Sequence, residues 1–390
     1  MVAYVISLLR HNELKKELKA FPFLGIFVVL LVVNLCIGFF DNRLDIVSKI
    51  IRSIVNFLNT VFCLFVGYTS IKSLKDWNEI LSKSIWIFVL MGCYGLFTWV
   101  LQSNPIYDSV NASFNAVEMW ADVQERGYRV LSTMNNPIAY GAVMGMATLY
   151  LFANQQNIKR RVFWIVFFLL LLNVLFTYSR SAIAGMLIGF VVFAFLKYRI
   201  SIKLFVLFIV CSFLVLIAYA TIPSIQHVVD LMADVVLTGG QNAQGSNIEL
   251  KDLQLEVSIF YFLQSPFWGN GFRFFQEELV SGNIASYDGS LAGLEGYLFA
   301  ILVENGIFML IAMVTFFIQL LYFTLKRARY NEVACFSASL IVFFMFFIYI
   351  TGTYGNVFLY FMSFIGLSIK YLQLYDVLYF NSRLQRRKLY

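Results

Sequence analysis

Charge is scarce in this chain. Of 390 residues only 13% are Asp, Glu, Lys or Arg, while 60% are hydrophobic. A water-soluble domain carries about 25% charged residues. A deficit of this size exceeds what a buried core needs, so a bilayer is the solvent for most of the chain. Histidine is nearly missing: His11 and His227 lie far apart, and neither has a neighbouring ligand pattern. Five cysteines (Cys36, Cys63, Cys93, Cys211 and Cys335) all fall inside apolar runs with no CxxC or Cys/His spacing. That excludes a zinc site and a disulfide framework, and no metal is expected. A Gly-rich nucleotide loop and an Asp-x-Asp pair are also missing, so metal-bound sugar-nucleotide chemistry is not expected and no cofactor is called for. The first apolar run, Phe21 to Phe40, is too long for a signal-peptide core and lacks a small-residue cleavage pattern. There is no internal repeat.

What the chain has instead is apolar runs. A span needs about 20 mainly apolar residues. Candidates fall near 21–40, 53–72, 85–102, 137–155, 162–178, 181–197, 204–222, 296–325, 333–352 and 356–376. The predicted fold is an all-α integral membrane protein of about ten transmembrane helices, one polytopic domain over 1–390 with a long extracytoplasmic loop at 223–295.

The net charge of +7 does not imply nucleic acid, because the basic residues cluster beside apolar runs and orient helices. Arg10, Lys15, Lys16 and Lys19 place the N-terminus in the cytoplasm. Alternation then brings Lys72/Lys75/Lys83, Lys159/Arg160/Arg161, Lys197/Arg199/Lys203, Lys326/Arg327/Arg329 and Arg383/Arg386/Arg387/Lys388 to the same side, with both termini inside. Only Arg43, Lys49 and Arg52, after the first span, run against the rule.

Two outer loops stand out, 103–136 and the mostly acidic 223–295. Loops this long are usually functional or disordered. Leu250, Leu253, Val257, Phe260 and Leu263 recur at helical spacing, which predicts an amphipathic helix within the longer one.

Candidate site residues lie at the outer edge. Arg180, in Tyr178-Ser179-Arg180-Ser181, sits where a span begins, and Ser179 or Ser181 can cap that helix. An arginine at a helix N-terminus makes an anion site, although a snorkelling arginine is the simpler alternative. Arg129 precedes Asn136-Pro137, a capping residue and a first-turn proline for the next span. Arg126 lies three residues before it. Lys251 and Arg273 are the basic residues of the acidic loop and flank Pro266-Phe-Trp-Gly269-Asn-Gly271. Glu295 stands where the chain re-enters the membrane, as a dipole partner or a general base. Glu304 lies deeper, either functional or bonded to a neighbouring helix.

These motifs, in this order, resemble the O-antigen polymerase and ligase family of bacterial membrane glycosyltransferases over about 125–325. The likeness rests on Tyr178-Ser179-Arg180-Ser181 with Ala182, Ala184 and Gly185, on a Pro-x-x-Gly-x-Gly turn at Pro266 to Gly271, and on Arg129 ahead of Asn136-Pro137. Lys251 stands where the family often has an arginine. Glu295 and Gly296 stand where its ligases carry a histidine-asparagine pair, which favours a polymerase. The resemblance implies a metal-independent enzyme of the bacterial cytoplasmic membrane that acts on undecaprenyl-pyrophosphate-linked oligosaccharides to build O-antigen, capsular or exopolysaccharide chains. Membrane lipid surrounds it, and a chain-length regulator protein is an implied partner. Arg180, Arg129 and Glu295 are then catalytic, with Lys251, Arg273, Arg126 and Tyr178 binding the pyrophosphate or glycan. A ligase of the same family and a flippase of lipid-linked sugars are the alternatives.

Overall fold

The computed structural model describes residues 13–106, 108–109, 128–134, 136–198, 248–275, 277, 296–351 and 357–387, with 219–221, 226 and 230. Among these residues every regular element is helical. The helices are α1 (Glu13–Ala20), α2 (Leu24–Phe40), α3 (Ile46–Thr60), α4 (Phe62–Thr69), α5 (Leu74–Leu101), α6 (Pro137–Ala153), α7 (Arg160–Phe176), α8 (Arg180–Tyr198), α9 (Ile248–Gln264), α10 (Tyr297–Arg327), α11 (Glu332–Thr351) and α12 (Val357–Arg387). An all-α integral membrane protein is what composition required.

Among the described residues five helices are long and apolar enough to cross a membrane: α5, α8, α10, α11 and Val357–Tyr379 of α12. The bent pairs α1/α2 and α3/α4 raise the number to seven if each is one span. The predicted spans at 137–155 and 162–178 are helices of 17 residues each, and the one near 204–222 lies almost wholly outside the described residues. The break of 107° between α1 and α2 falls at Phe21-Pro22-Phe23, where proline removes a helix hydrogen bond. The predicted span at 53–72 begins earlier, at Ile46. Asp45 caps that helix by accepting hydrogen bonds from the Val47 and Ser48 N–H groups at 3.1 and 3.2 Å, and the Ser48 side chain, with these N–H groups, holds its carboxyl below the usual carboxylate range. A hydropathy window misses this start because Ser48, Lys49, Arg52, Ser53 and Asn56 interrupt the apolar residues.

The helices form two compact units. One comprises the described parts of Met1–Trp77, Gln254–Arg327 and Phe358–Tyr390. There α2 packs along α3 and against α10. Phe21, Phe27, Phe65 and Tyr68 meet edge-on, tilted or, for Phe65 on Tyr68, stacked, at 5.0–6.4 Å. Asn56 donates to the buried Asn34 at 2.8 Å, a polar bond of the kind that holds helices together in lipid. Lys370 pairs with Glu17 at 2.6 Å and ties α1 to α12.

The other unit comprises the described parts of Asn78–Leu253 and Ala328–Val357. Its centre is α6, whose residues from Ala139 to Leu151 are all buried. α7, α8 and α11 surround it, and α8 and α11 share the longest contact. Between them the Phe343 ring lies so near Gly145 and Gly185 that a β-carbon at either would meet it. Phe343 is fully buried, whereas Phe168 on α7 is 55% exposed, as suits a side chain facing lipid. Phe343→Ala is expected to destabilise the unit by about 3–5 kcal/mol, because the cavity it leaves does not refill. Phe168→Ala should be near neutral, and thermal unfolding of the two purified variants in one detergent checks the contrast.

Candidate functional sites in the two units

Arg180 opens α8. The chain leaves α7 through Thr177 and turns at Tyr178, which holds φ +49°, a left-handed conformation that costs a non-glycine residue about 1–3 kcal/mol. Ser179 is the cap: its Oγ accepts from the Ala182 N–H at 3.4 Å, and the Ser181 hydroxyl lies 3.3 Å from it. The Arg180 side chain is half-buried.

Arg129 comes to this same junction from across the intervening helix. Its Nε donates to the Thr177 carbonyl at 2.8 Å, and the Val130 N–H donates to the Phe176 carbonyl at 3.0 Å. Those are carbonyls at the C-terminal end of α7, where a helix welcomes a cation. A buried polar network supports the segment. Ser132 Oγ donates to the Met91 carbonyl at 2.8 Å, and Asn104 donates to the Ser132 carbonyl at 2.7 Å. Tyr140 donates to Asn173 at 2.8 Å, and Asn173 donates to the Gly92 carbonyl at 3.1 Å. Burial pushes the nearby Tyr128 phenol up. As the sequence suggests, Asn136 caps α6, accepting from Ile138 and Ala139, with Pro137 in its first turn. Arg129 is thus bonded to the backbone three residues before Arg180, within one unit.

Arg273 belongs to the other unit. The Pro266 to Gly271 turn docks onto a break in α10, where Ile301–Asn305 forms a π turn and Gly306 takes φ +75°. That break frees backbone groups, and the turn satisfies them. Asn270 N–H donates to the Val303 carbonyl at 2.8 Å, Gly271 N–H to the Glu304 carbonyl at 3.0 Å, and Ile307 N–H to the Pro266 carbonyl at 2.9 Å. Asn270 adds a side-chain bond to the Val303 carbonyl at 3.1 Å. Backbone lies on backbone, so a β-carbon at Gly269 would collide with Glu304. Val257, Phe274, Phe275 and Val303 form an apolar cluster under the turn, with Tyr261 against it.

An ion-pair cluster holds the residues that follow the turn. Arg43 embraces Asp41 with two bonds of 2.9 and 2.8 Å. Arg43 and Arg52 each hold one oxygen of Glu277, at 3.2 and 2.7 Å. Both also donate to the Phe272 carbonyl at 3.3 Å. Glu304 meets the turn through its backbone carbonyl, which accepts from the Gly271 N–H. Its neighbour is a loop rather than a facing helix.

Of the predicted site residues, Arg129, Tyr178 and Arg180 come together, and Arg273 stands in the second cluster. Lys251 is on α9, with its side chain outside the described residues, as are Arg126 and Glu295 altogether. The predicted amphipathic helix exists as α9, but its face differs. Gln254, Val257 and Ser258 are buried, while Phe260 and Leu263 are 57% and 68% exposed. Spacing alone cannot say whether lipid or protein covers an apolar stripe. The cluster of Asp41, Arg43, Arg52 and Glu277 has one sequence signal, the break in the charge rule after the first span.

No curated protein matches the chain. A family model described as O-antigen ligase matches residues 165–314, which include Arg180, Arg273 and Glu304. The chain is therefore a multi-pass membrane protein whose residues 165–314 match an O-antigen ligase family model.

Proposed function

We propose that the chain is a polymerase of undecaprenyl-pyrophosphate-linked oligosaccharide repeat units on the outer face of the bacterial cytoplasmic membrane, with both termini in the cytoplasm. The observation that carries the reading is the bond from Arg129 to Thr177, which gathers two arginines at the start of α8. Guanidinium groups beside a helix N-terminus suit a diphosphate.

A hydroxyl of the acceptor's terminal sugar attacks the donor's anomeric carbon. The bond from that carbon to the diphosphate oxygen breaks, and the lipid diphosphate leaves with the electron pair. Arg180 and Arg129 stabilise the charge that grows on it. Glu295 takes the hydroxyl proton. Tyr178, Arg126, Lys251 and Arg273 bind diphosphate or glycan, and the anchoring of both substrates in lipid supplies proximity. Metal has no role in this scheme because the cations are side chains.

The family description itself favours a second reading, a ligase that moves finished glycan to a lipid or protein acceptor. Glu295-Gly296 at the place of the ligases' histidine-asparagine pair supports the polymerase.

Arg180→Ala is expected to lower polymer synthesis by about 100- to 1,000-fold, the usual effect of losing one transition-state donor, with single-repeat carriers accumulating. Arg180→Lys should recover part of this, since it keeps the charge without the fork. Normal chain length at normal protein level would remove Arg180 from the mechanism. A deletion strain analysed on carbohydrate gels separates the two readings: the polymerase predicts no long chains on the carrier, whereas a ligase predicts that long chains remain there.

A further inference from the structure

Arg273 holds φ +60°, a conformation that arginine does not choose unaided. The peptide on each side of it is gripped. Ahead of it, the Phe272 carbonyl accepts from both Arg43 and Arg52 at 3.3 Å. Behind it, its own carbonyl accepts from the Glu277 N–H at 3.0 Å, while the Glu277 carboxylate binds the same two guanidinium groups. With both peptide planes fixed, the two backbone angles of residue 273 are fixed, and so is the direction in which its side chain leaves. The anchor behind the grip is Asp41, whose side chain is fully buried and accepts three bonds from Arg43, two from its guanidinium and one from its backbone N–H. Gly271 is required beside it, because a β-carbon there would collide with the Asp41 carboxylate.

We infer that Arg43 and Arg52 are positioning residues: they aim Arg273, and through it the segment after the first span sets how the enzyme engages its anionic substrate. This inference rests on the reading of Arg273 as a substrate-binding residue. The clamp joins residues 234 positions apart, so the N-terminal hairpin, outside the matched region of 165–314, serves the site. It also explains why Arg43 and Arg52 break the charge rule. They are neutralised by Asp41 and Glu277, so their placement does not oppose the topology.

The test uses the full chain in nanodiscs with undecaprenyl pyrophosphate as the probe. Glu277→Arg should weaken probe affinity about tenfold and raise hydrogen exchange at the amides of Asn270 and Gly271. The conservative change Glu277→Asp keeps a carboxylate for the two guanidinium groups and leaves both donors to the Phe272 carbonyl, so both measurements should stay within about threefold of the parent. Glu277→Gln gives the milder form of the same change where the reversal does not fold. Arg273→Ala should weaken the probe about as much while exchange stays at the parent level, because the clamp remains. If Glu277 variants raise exchange but leave affinity at the parent value, the clamp does not aim Arg273 and the inference fails, with the diphosphate reading intact. If Arg273→Ala leaves affinity unchanged, the reading of Arg273 as a binding residue fails and takes this inference with it.

Discussion

A backbone N–H or carbonyl without a partner costs several kcal/mol where water is excluded. The break in α10 creates such groups near one end of a span. The Pro266 to Gly271 turn meets them with three backbone bonds of 2.8–3.0 Å, and the rest of that unit follows from this docking. The turn must approach backbone to backbone, which explains glycine at 269. It must be held from its other side, which brings in Asp41, Arg43, Arg52 and Glu277. Its continuation then delivers Phe274 and Phe275 to the apolar cluster over Val303 and Arg273 to a fixed orientation. Helix break, motif turn and ion-pair cluster are three parts of one solution.

The second unit answers the same demand differently. The chain reverses between α7 and α8 within a few residues, and the carbonyls ending α7 need donors. Arg129 and Val130 supply them from a distant segment. The cation that stabilises the end of one helix therefore arrives beside the start of the next, where Ser179 leaves Arg180 at the head of the span. A requirement of hydrogen bonding places two arginines at one junction.

The sequence shows most of the fold because hydropathy is additive over about 20 residues. Nine of the ten predicted segments coincide with described helices or helix pairs. The early start of α3 escapes such averaging, since its lysine, arginine and asparagine lower the window while packing on α2 or pairing with Glu277. The covered face of α9 escapes because periodicity is blind to what lies opposite. The site is half visible: Asn136-Pro137, Ser179 and Arg180 are local signals, whereas the pairing of Arg43 with Glu277 depends on chain segments that only the fold brings together. Even so, Arg43, Lys49 and Arg52 form a visible break in the charge pattern, and two of the three, Arg43 and Arg52, meet carboxylates.

Two motif residues, Tyr178 and Arg273, sit at positive φ. Glycine would occupy either place with less strain, and the chain uses glycine freely nearby, at 269, 271 and 306. Strain of about 1–3 kcal/mol at each is held by the bonds around it, as it is at Ser132, whose hydroxyl and carbonyl are both bonded. At Tyr178 the strained turn sets the start of α8 and hence Arg180. At Arg273 it sets the arginine directly. In both units the backbone is held against its preference at the point from which a cation is aimed. That ties the packing of these helices to the placement of an arginine in each unit.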